Sequence, residues 1–218
     1  MALLFQPGSK IVCIGDSITD FDRARPYGEG LNGGIGRSYV SIADGLLKAV
    51  DPSLHLRFIN MGIGGNTVRD LAARWQTDVL GLHPDYVTVL IGINDVWRQY
   101  DTPEITEGHV YTPEYQETLS RLVETTLPEV KRMVLMTPYI IEPNREDPMR
   151  ARMDEYGRIV KEIAGKNDIP CVDLQAAFDR YCKEYYPASI NWDRIHPNTA
   201  GHCIIARALL NAIGFEWK

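Results

Sequence analysis

The chain has 218 residues, of which 44% are hydrophobic and 24% charged, with a formal net charge of −6. That length fits one domain spanning residues 1–218 with a substantial buried core. The acidic balance and the lack of a basic stripe argue against nucleic acid or an anionic membrane as partner. No apolar run approaches the roughly 20 residues needed to cross a bilayer, and the opening Met1-Ala-Leu-Leu-Phe-Gln-Pro-Gly8 lacks the pattern of a secretory signal. The cysteines, Cys13, Cys171, Cys182 and Cys203, form no C-x-x-C pair. They are expected to be reduced and structural in a cytoplasmic protein.

In chain order, the first strand is predicted at Lys10–Gly15, where a short apolar run ends abruptly in glycine, a carboxylate and a hydroxyl. A helix follows, with Tyr39, Ile42, Ala43, Leu46, Leu47 and Val50 on its buried face. The second strand is predicted at His55–Met61, followed by a glycine-rich turn and a helix beginning near Val68 that Asn66 or Thr67 can cap. The third spans Tyr86–Gly92 and leads through a long connection, Trp97–Thr112, to a helix marked by Tyr115, Leu119, Leu122 and Val123. The fourth, Arg132–Thr137, is followed by the connection Pro138–Asp147 and a helix carrying Met149, Met153, Tyr156, Val160 and Ile163. A fifth strand at Pro170–Leu174 and a last helix with Ile204, Ile205, Ala208, Leu209 and Ile213 close the chain. Strands this short and apolar are covered on both faces. Their alternation with helices predicts an α/β fold, a three-layer α/β/α sandwich on a five-stranded parallel sheet in the flavodoxin-like order 2-1-3-4-5.

In such a sheet, chemistry gathers where strands stop. The first strand leads into Gly15-Asp16-Ser17, the second into Gly62-Ile-Gly-Gly-Asn-Thr67, and the third into Gly92-Ile-Asn-Asp95. Ser17 can supply a nucleophile. The backbone N–H of Gly65 and the side-chain amide of Asn94 can supply oxyanion donors. A serine hydroxyl needs a base, and Asp193 and His196 stand three residues apart before the last helix, with Pro197 barring a helix through that point. Each segment alone also has an ordinary reading as a cap or a turn. Their conjunction at the strand ends is what points to a hydrolase.

These residues resemble the SGNH (GDSL-type) hydrolase family. Its blocks match Gly15-Asp-Ser-Ile18, Gly62-Ile-Gly-Gly-Asn-Thr67, Gly92-Ile-Asn-Asp95 and Asp193-Arg-Ile-His196, with Ile18 where the family name has leucine. The resemblance implies Ser17, Asp193 and His196 as the catalytic residues and Ser17, Gly65 and Asn94 as the oxyanion hole. It implies no metal and no organic cofactor. Asn66-Thr-Val-Arg-Asp-Leu71, Ile91-Gly-Ile-Asn-Asp-Val-Trp-Arg-Gln-Tyr-Asp101 and Ile213-Gly-Phe-Glu-Trp217 are similar to intracellular acetyl-xylan (acetylated xylo-oligosaccharide) esterases. That likeness implies a small-molecule acetylated oligosaccharide substrate, a cytoplasmic location and a homo-oligomer to which Phe215 and Trp217 contribute if they are exposed.

A sugar substrate asks for a small acyl slot and an aromatic rim. Trp97 and Trp192, with Tyr100, Tyr111 and Tyr139, lie in or beside loops that can form it, and Asp16, Arg23, Arg25 and Glu29 are further candidates for contact. A GDSL-type lipase, lysophospholipase or thioesterase acting on longer acyl chains is the alternative. A metal-assisted phosphatase using Asp16, Asp20, Asp22, Asp95 and Asp193 lacks the D-x-D pattern, and a nucleotide-binding module lacks the phosphate-loop lysine.

Overall fold

The computed structural model describes residues 2–217. Five parallel strands, β1 (Lys10–Gly15), β2 (Arg57–Gly62), β3 (Tyr86–Leu90), β4 (Arg132–Met136) and β5 (Cys171–Val172), lie in the order β2-β1-β3-β4-β5. Eight α-helices accompany them among the described residues: α1 (Ser17–Asp20), α2 (Tyr39–Val50), α3 (Val68–Asp78), α4 (Ile93–Asp101), α5 (Thr112–Thr126), α6 (Pro148–Lys166), α7 (Leu174–Tyr181) and α8 (Thr199–Ala212). The chain runs from β1 through α2 to β2 at one side of the sheet, then back across through α3 to β3. Hence α2 packs with α8 and α8 with α7 in one layer, while α3, α5, α6 and α4 pack in succession in the other. This is the predicted three-layer sandwich.

The strands are buried on both faces. Ile11, Val12, Cys13 and Ile14 of β1 and Val87 and Val89 of β3 sit in one apolar core with Tyr39, Leu71, Tyr115 and Tyr156 from the helices. β1 lies between β2 and β3, so the chain reverses direction across the sheet there, which is where open α/β sheets form their crevice. Residues that follow β1, β2 and β3 are therefore neighbours. At Gly15 the approach is so close that a Cβ would lie 2.3 Å from the Leu90 carbonyl oxygen and 2.4 Å from Thr19 Oγ1. Only glycine fits.

Several boundaries differ from expectation. His55 adopts a left-handed φ of 47° after a 3-10 turn, so β2 begins at Arg57. The connection expected at Trp97–Thr112 is helical over its first part, because α4 starts at Ile93, immediately after the left-handed Gly92. The apolar run at Pro170–Leu174 holds only a two-residue strand. Asp173 caps α7 by accepting from Ala176 N, converting the rest of the run into a helix. Thr67 caps α3 in a capping box with Asp70, an arrangement worth about 0.5–2 kcal/mol.

Candidate active site

Ser17 is the first residue of α1, the single helical turn that leaves β1. Asp16 caps that turn, its Oδ1 accepting from Ile18 N at 2.9 Å. Gly65, at φ 80°, turns the loop after β2 back toward α1, and a Cβ on neighbouring Gly64 would lie 3.8 Å from Ser17 Cβ. Asn94 sits in the first turn of α4, buried. Its Nδ2 donates to the Asn66 carbonyl at 2.9 Å, while an Nη2 of Arg98 donates to its Oδ1 at 3.3 Å. Because arginine only donates, the amide is oriented with its second N–H free. Among the described residues, the backbone N–H groups of Ser17 and Gly65 donate to no other group in the chain. Three donors therefore stand unengaged on the segments that follow β1, β2 and β3.

The far end of the chain returns to the same place. His196 Nε2 lies 2.8 Å from Ser17 Oγ, and its Nδ1 lies 2.6 Å from Asp193 Oδ2. Asp193 Oδ1 accepts from the backbone N–H groups of Ile195 and His196 at 2.9 and 2.8 Å. Burial favours protonation of Asp193, but the bonds from the imidazole and these two N–H groups outweigh it and hold the carboxyl below its usual range. An ionised Asp193 accepts a hydrogen bond from Nδ1–H, which fixes the tautomer and leaves Nε2 free to accept from the Ser17 hydroxyl. The turn between them puts Arg194 at a left-handed φ of 70°. Its carbonyl accepts from Ile141 N at 2.9 Å, and the Tyr139 hydroxyl donates to the Ile195 carbonyl at 3.2 Å. The expected connection after β4 thus braces the loop that carries the base.

Several other expectations change. Asp16 is only 1% exposed and its Oδ1 caps its own turn, which leaves it almost no surface to offer a substrate. Burial pushes it up to about 7 against the bond from Ile18 N and the charge of Arg74. Arg23 is buried, donating from Nε to the Gly62 carbonyl at 2.6 Å, and Glu29 pairs with Arg57. Tyr139 is buried and stacked on Phe178. Asp16, Arg23 and Tyr139 are thus too buried to offer faces to a sugar. Trp97 is half-buried, its ring edge-on to His196 at 5.9 Å. Trp192 is 88% exposed, and Tyr100 and Tyr111 are partly exposed. Phe215 is buried rather than exposed, whereas Trp217 is 51% exposed. Cys203 is exposed, so it is not a core thiol like Cys13.

The five carboxylates of the phosphatase alternative are not gathered. Asp20 pairs with Arg25, Asp22 with Arg37, and Asp95 is buried with Oδ1 accepting from Val68 N. Two features escaped sequence reading. Arg74 and Arg98 reach the backbone and amide groups that carry the donors, and no local pattern marks a long cation for such a contact. His202 is buried, accepting from Tyr39 N at Nδ1, and burial holds it down at about 4, so it is a neutral packing group.

Residues 13–204 match the model of the GDSL-like lipase/acylhydrolase family. The chain belongs to that family. As a GDSL-like acylhydrolase it is a carboxylic ester hydrolase, and all four blocks of the fold's active-site edge fall inside the matched span. It is 57% identical over 210 residues, 96% of each chain, to an acetylxylan esterase of Geobacillus stearothermophilus. The crystal structure of that organism's acetylxylan esterase Axe2 superposes with a TM-score of 0.98 at 56% identity, covering 99% of this chain and 98% of that one. The α/β hydrolase LAE5, from the metagenome of Lake Arreo, superposes with the same TM-score at 55% identity over the full length of both.

Proposed function

We propose that this acylhydrolase removes acetyl groups from acetylated xylo-oligosaccharides by a serine mechanism. The observation that carries the reading is the relay Asp193–His196–Ser17, with separations of 2.6 and 2.8 Å; three unengaged donors on the segments after β1, β2 and β3 support it. His196 takes the proton as Ser17 Oγ attacks the ester carbonyl, and Asp193 steadies the imidazolium. The backbone N–H groups of Ser17 and Gly65 and the Asn94 amide receive the oxyanion. The sugar alcohol leaves with the proton from His196; water, activated by the same nitrogen, then attacks the acetyl-enzyme, and acetate departs. Every proton removed is returned, so the cycle calls on no metal or cofactor.

Support comes from the relatives. Structures of Axe2 include three described as catalytic mutants, in which a serine, an aspartate or a histidine is replaced by alanine. Those residues stand at the same spacing along that chain as Ser17, Asp193 and His196 along this one. Another Axe2 variant is described as an acetyl-xylooligosaccharide esterase, which favours the sugar reading over a long-chain lipid ester. Trp97 beside His196 and the exposed Trp192 are the aromatic faces for sugar rings. We further assign the protein to the cytoplasm, in keeping with four free cysteines, and to a homo-oligomer that covers exposed aromatic residues such as Trp217.

The test is acetate release from a panel of acetylated xylo-oligosaccharides beside butyrate and octanoate esters. Preference for the acetylated sugars supports the assignment. Preference for octanoate would replace it with the lipase or thioesterase reading.

A further inference from the structure

Arg74 lies on α3, outside the four blocks, and its side chain is only 14% exposed. Its guanidinium reaches three chain segments at once. Nε donates to Asn66 Oδ1 at 2.8 Å, Nη1 to the Met61 carbonyl at 2.8 Å, and Nη2 to the Gly15 carbonyl at 3.0 Å. Asp78, one turn further along α3, holds the fork by accepting from Nη1 at 2.9 Å. Each contact leads to a donor. Gly15 ends β1 two residues before Ser17; Met61 precedes the loop that presents Gly65; the Asn66 carbonyl accepts from Asn94 Nδ2. The Gly15 carbonyl also accepts from Ile63 N at 3.1 Å, so the two strand ends share that oxygen.

We propose that Arg74 is a positioning residue that sets the spacing of the three oxyanion donors, acting through the Gly15 and Met61 carbonyls and the side chain of Asn66. It touches no reacting atom. The inference rests on the oxyanion hole assigned under the proposed function. A planar fork with a fixed set of donors can span three acceptors in one geometry; a lysine ammonium keeps the charge but not the shape. Donor placement matters because a shift on the order of 1 Å can cost about 10²-fold in rate.

The test compares Arg74→Lys with wild type on p-nitrophenyl acetate, alone and in an Asn94→Ala background, with circular dichroism to establish folding. The expected result is a fall in kcat of about 10- to 100-fold with KM nearly unchanged, as for loss of a transition-state interaction. The midpoint of the acid limb of the pH–rate profile stays where it is, because the Asp193–His196 relay is untouched. In the Asn94→Ala background the same change costs less, since one of the three donors it places is gone while two remain. A folded Arg74→Lys with wild-type kcat overturns the proposal. So does a fall that moves the acid limb, or one equally large without Asn94. If Arg74→Lys does not fold, Asn66→Ala removes one arm of the link and must lower kcat in the same pattern; an unchanged kcat overturns the proposal. Asn94→Ala by itself separates the two levels. If it keeps wild-type activity, the oxyanion-hole reading falls and the role of Arg74 with it; if it loses activity while Arg74→Lys and Asn66→Ala do not, only the role of Arg74 falls.

Discussion

Ser17, Gly65 and Asn94 hang from the ends of β1, β2 and β3, where buried hydrogen bonds leave the backbone little freedom, whereas Asp193 and His196 ride on a loop that crosses from the last part of the chain. The first group is set by the sheet itself. Gly15 has no room for a side chain, Asn94 is buried, and Arg74 joins the strand ends. The second group is set by bracing from another loop. Ile141 N and the Tyr139 hydroxyl hold the carbonyls of Arg194 and Ile195, and the Arg194 guanidinium lies 3.1 Å from Glu142 and 2.9 Å from Asp147. Such a division suits the chemistry. Oxyanion donors work by being in place before charge develops, while the base must take up and hand on protons twice per turnover.

The largest effect is expected on the loop side. Asp193→Asn leaves the shape but favours the wrong imidazole tautomer, and kcat should fall on the order of 10⁴-fold with the fold intact. Steady-state rates and a circular dichroism spectrum check this; a fall of less than tenfold would detach Asp193 from the relay. On the sheet side, Asn94→Ala removes one donor and should lower kcat by about 10²–10³-fold with KM little changed. The two changes should also differ in pH dependence, because only the first disturbs the group that carries the proton.

Smaller effects probe how each half is held. Arg194→Met removes two partly exposed ion pairs, so kcat should fall only about two- to fivefold. The gap from wild type should narrow in about 1 M salt, where exposed ion pairs are screened; a gap that ignores salt would move the bracing to the backbone contacts alone. Asp95 tests the sheet side through stability. It is buried beside the donors, and burial pushes it up to about 8, with the bond from Val68 N pulling the other way. A carboxyl raised in the folded chain contributes stability that is fully present below its unfolded value and is lost as pH rises through its folded value. Wild type therefore loses stability from this group between about pH 4 and pH 8, and Asp95→Asn does not. The Tm of the variant relative to wild type should climb by roughly a few degrees from pH 5 to pH 8. A difference independent of pH would show that Asp95 is ionised in the fold.

The sequence was most legible where pattern and position reinforce each other. Strand ends, sheet order and the four polar blocks follow from apolar runs stopping at glycine and from strand–helix alternation. Side chains that reach across the fold were not legible. Tyr139 and Arg23 read as rim residues because they sit in loops, yet one stacks on Phe178 and the other satisfies the Gly62 carbonyl. Phe215 looked exposed beside the chain end and is buried. Asp173 hid a helix start inside an apolar run, because a capping side chain and a strand-ending carboxylate look alike in one dimension. Arg74 carried no sign at all, since its partners are carbonyls that every residue possesses.

The central claim is that Ser17 is the nucleophile and that His196 activates it. Labelling with a fluorophosphonate, followed by peptide mapping, tests this most directly. The account predicts one adduct, on Ser17, formed at a rate that collapses in His196→Ala while the variant keeps its fold. Active enzyme that takes no label, or a label on another side chain, would contradict it.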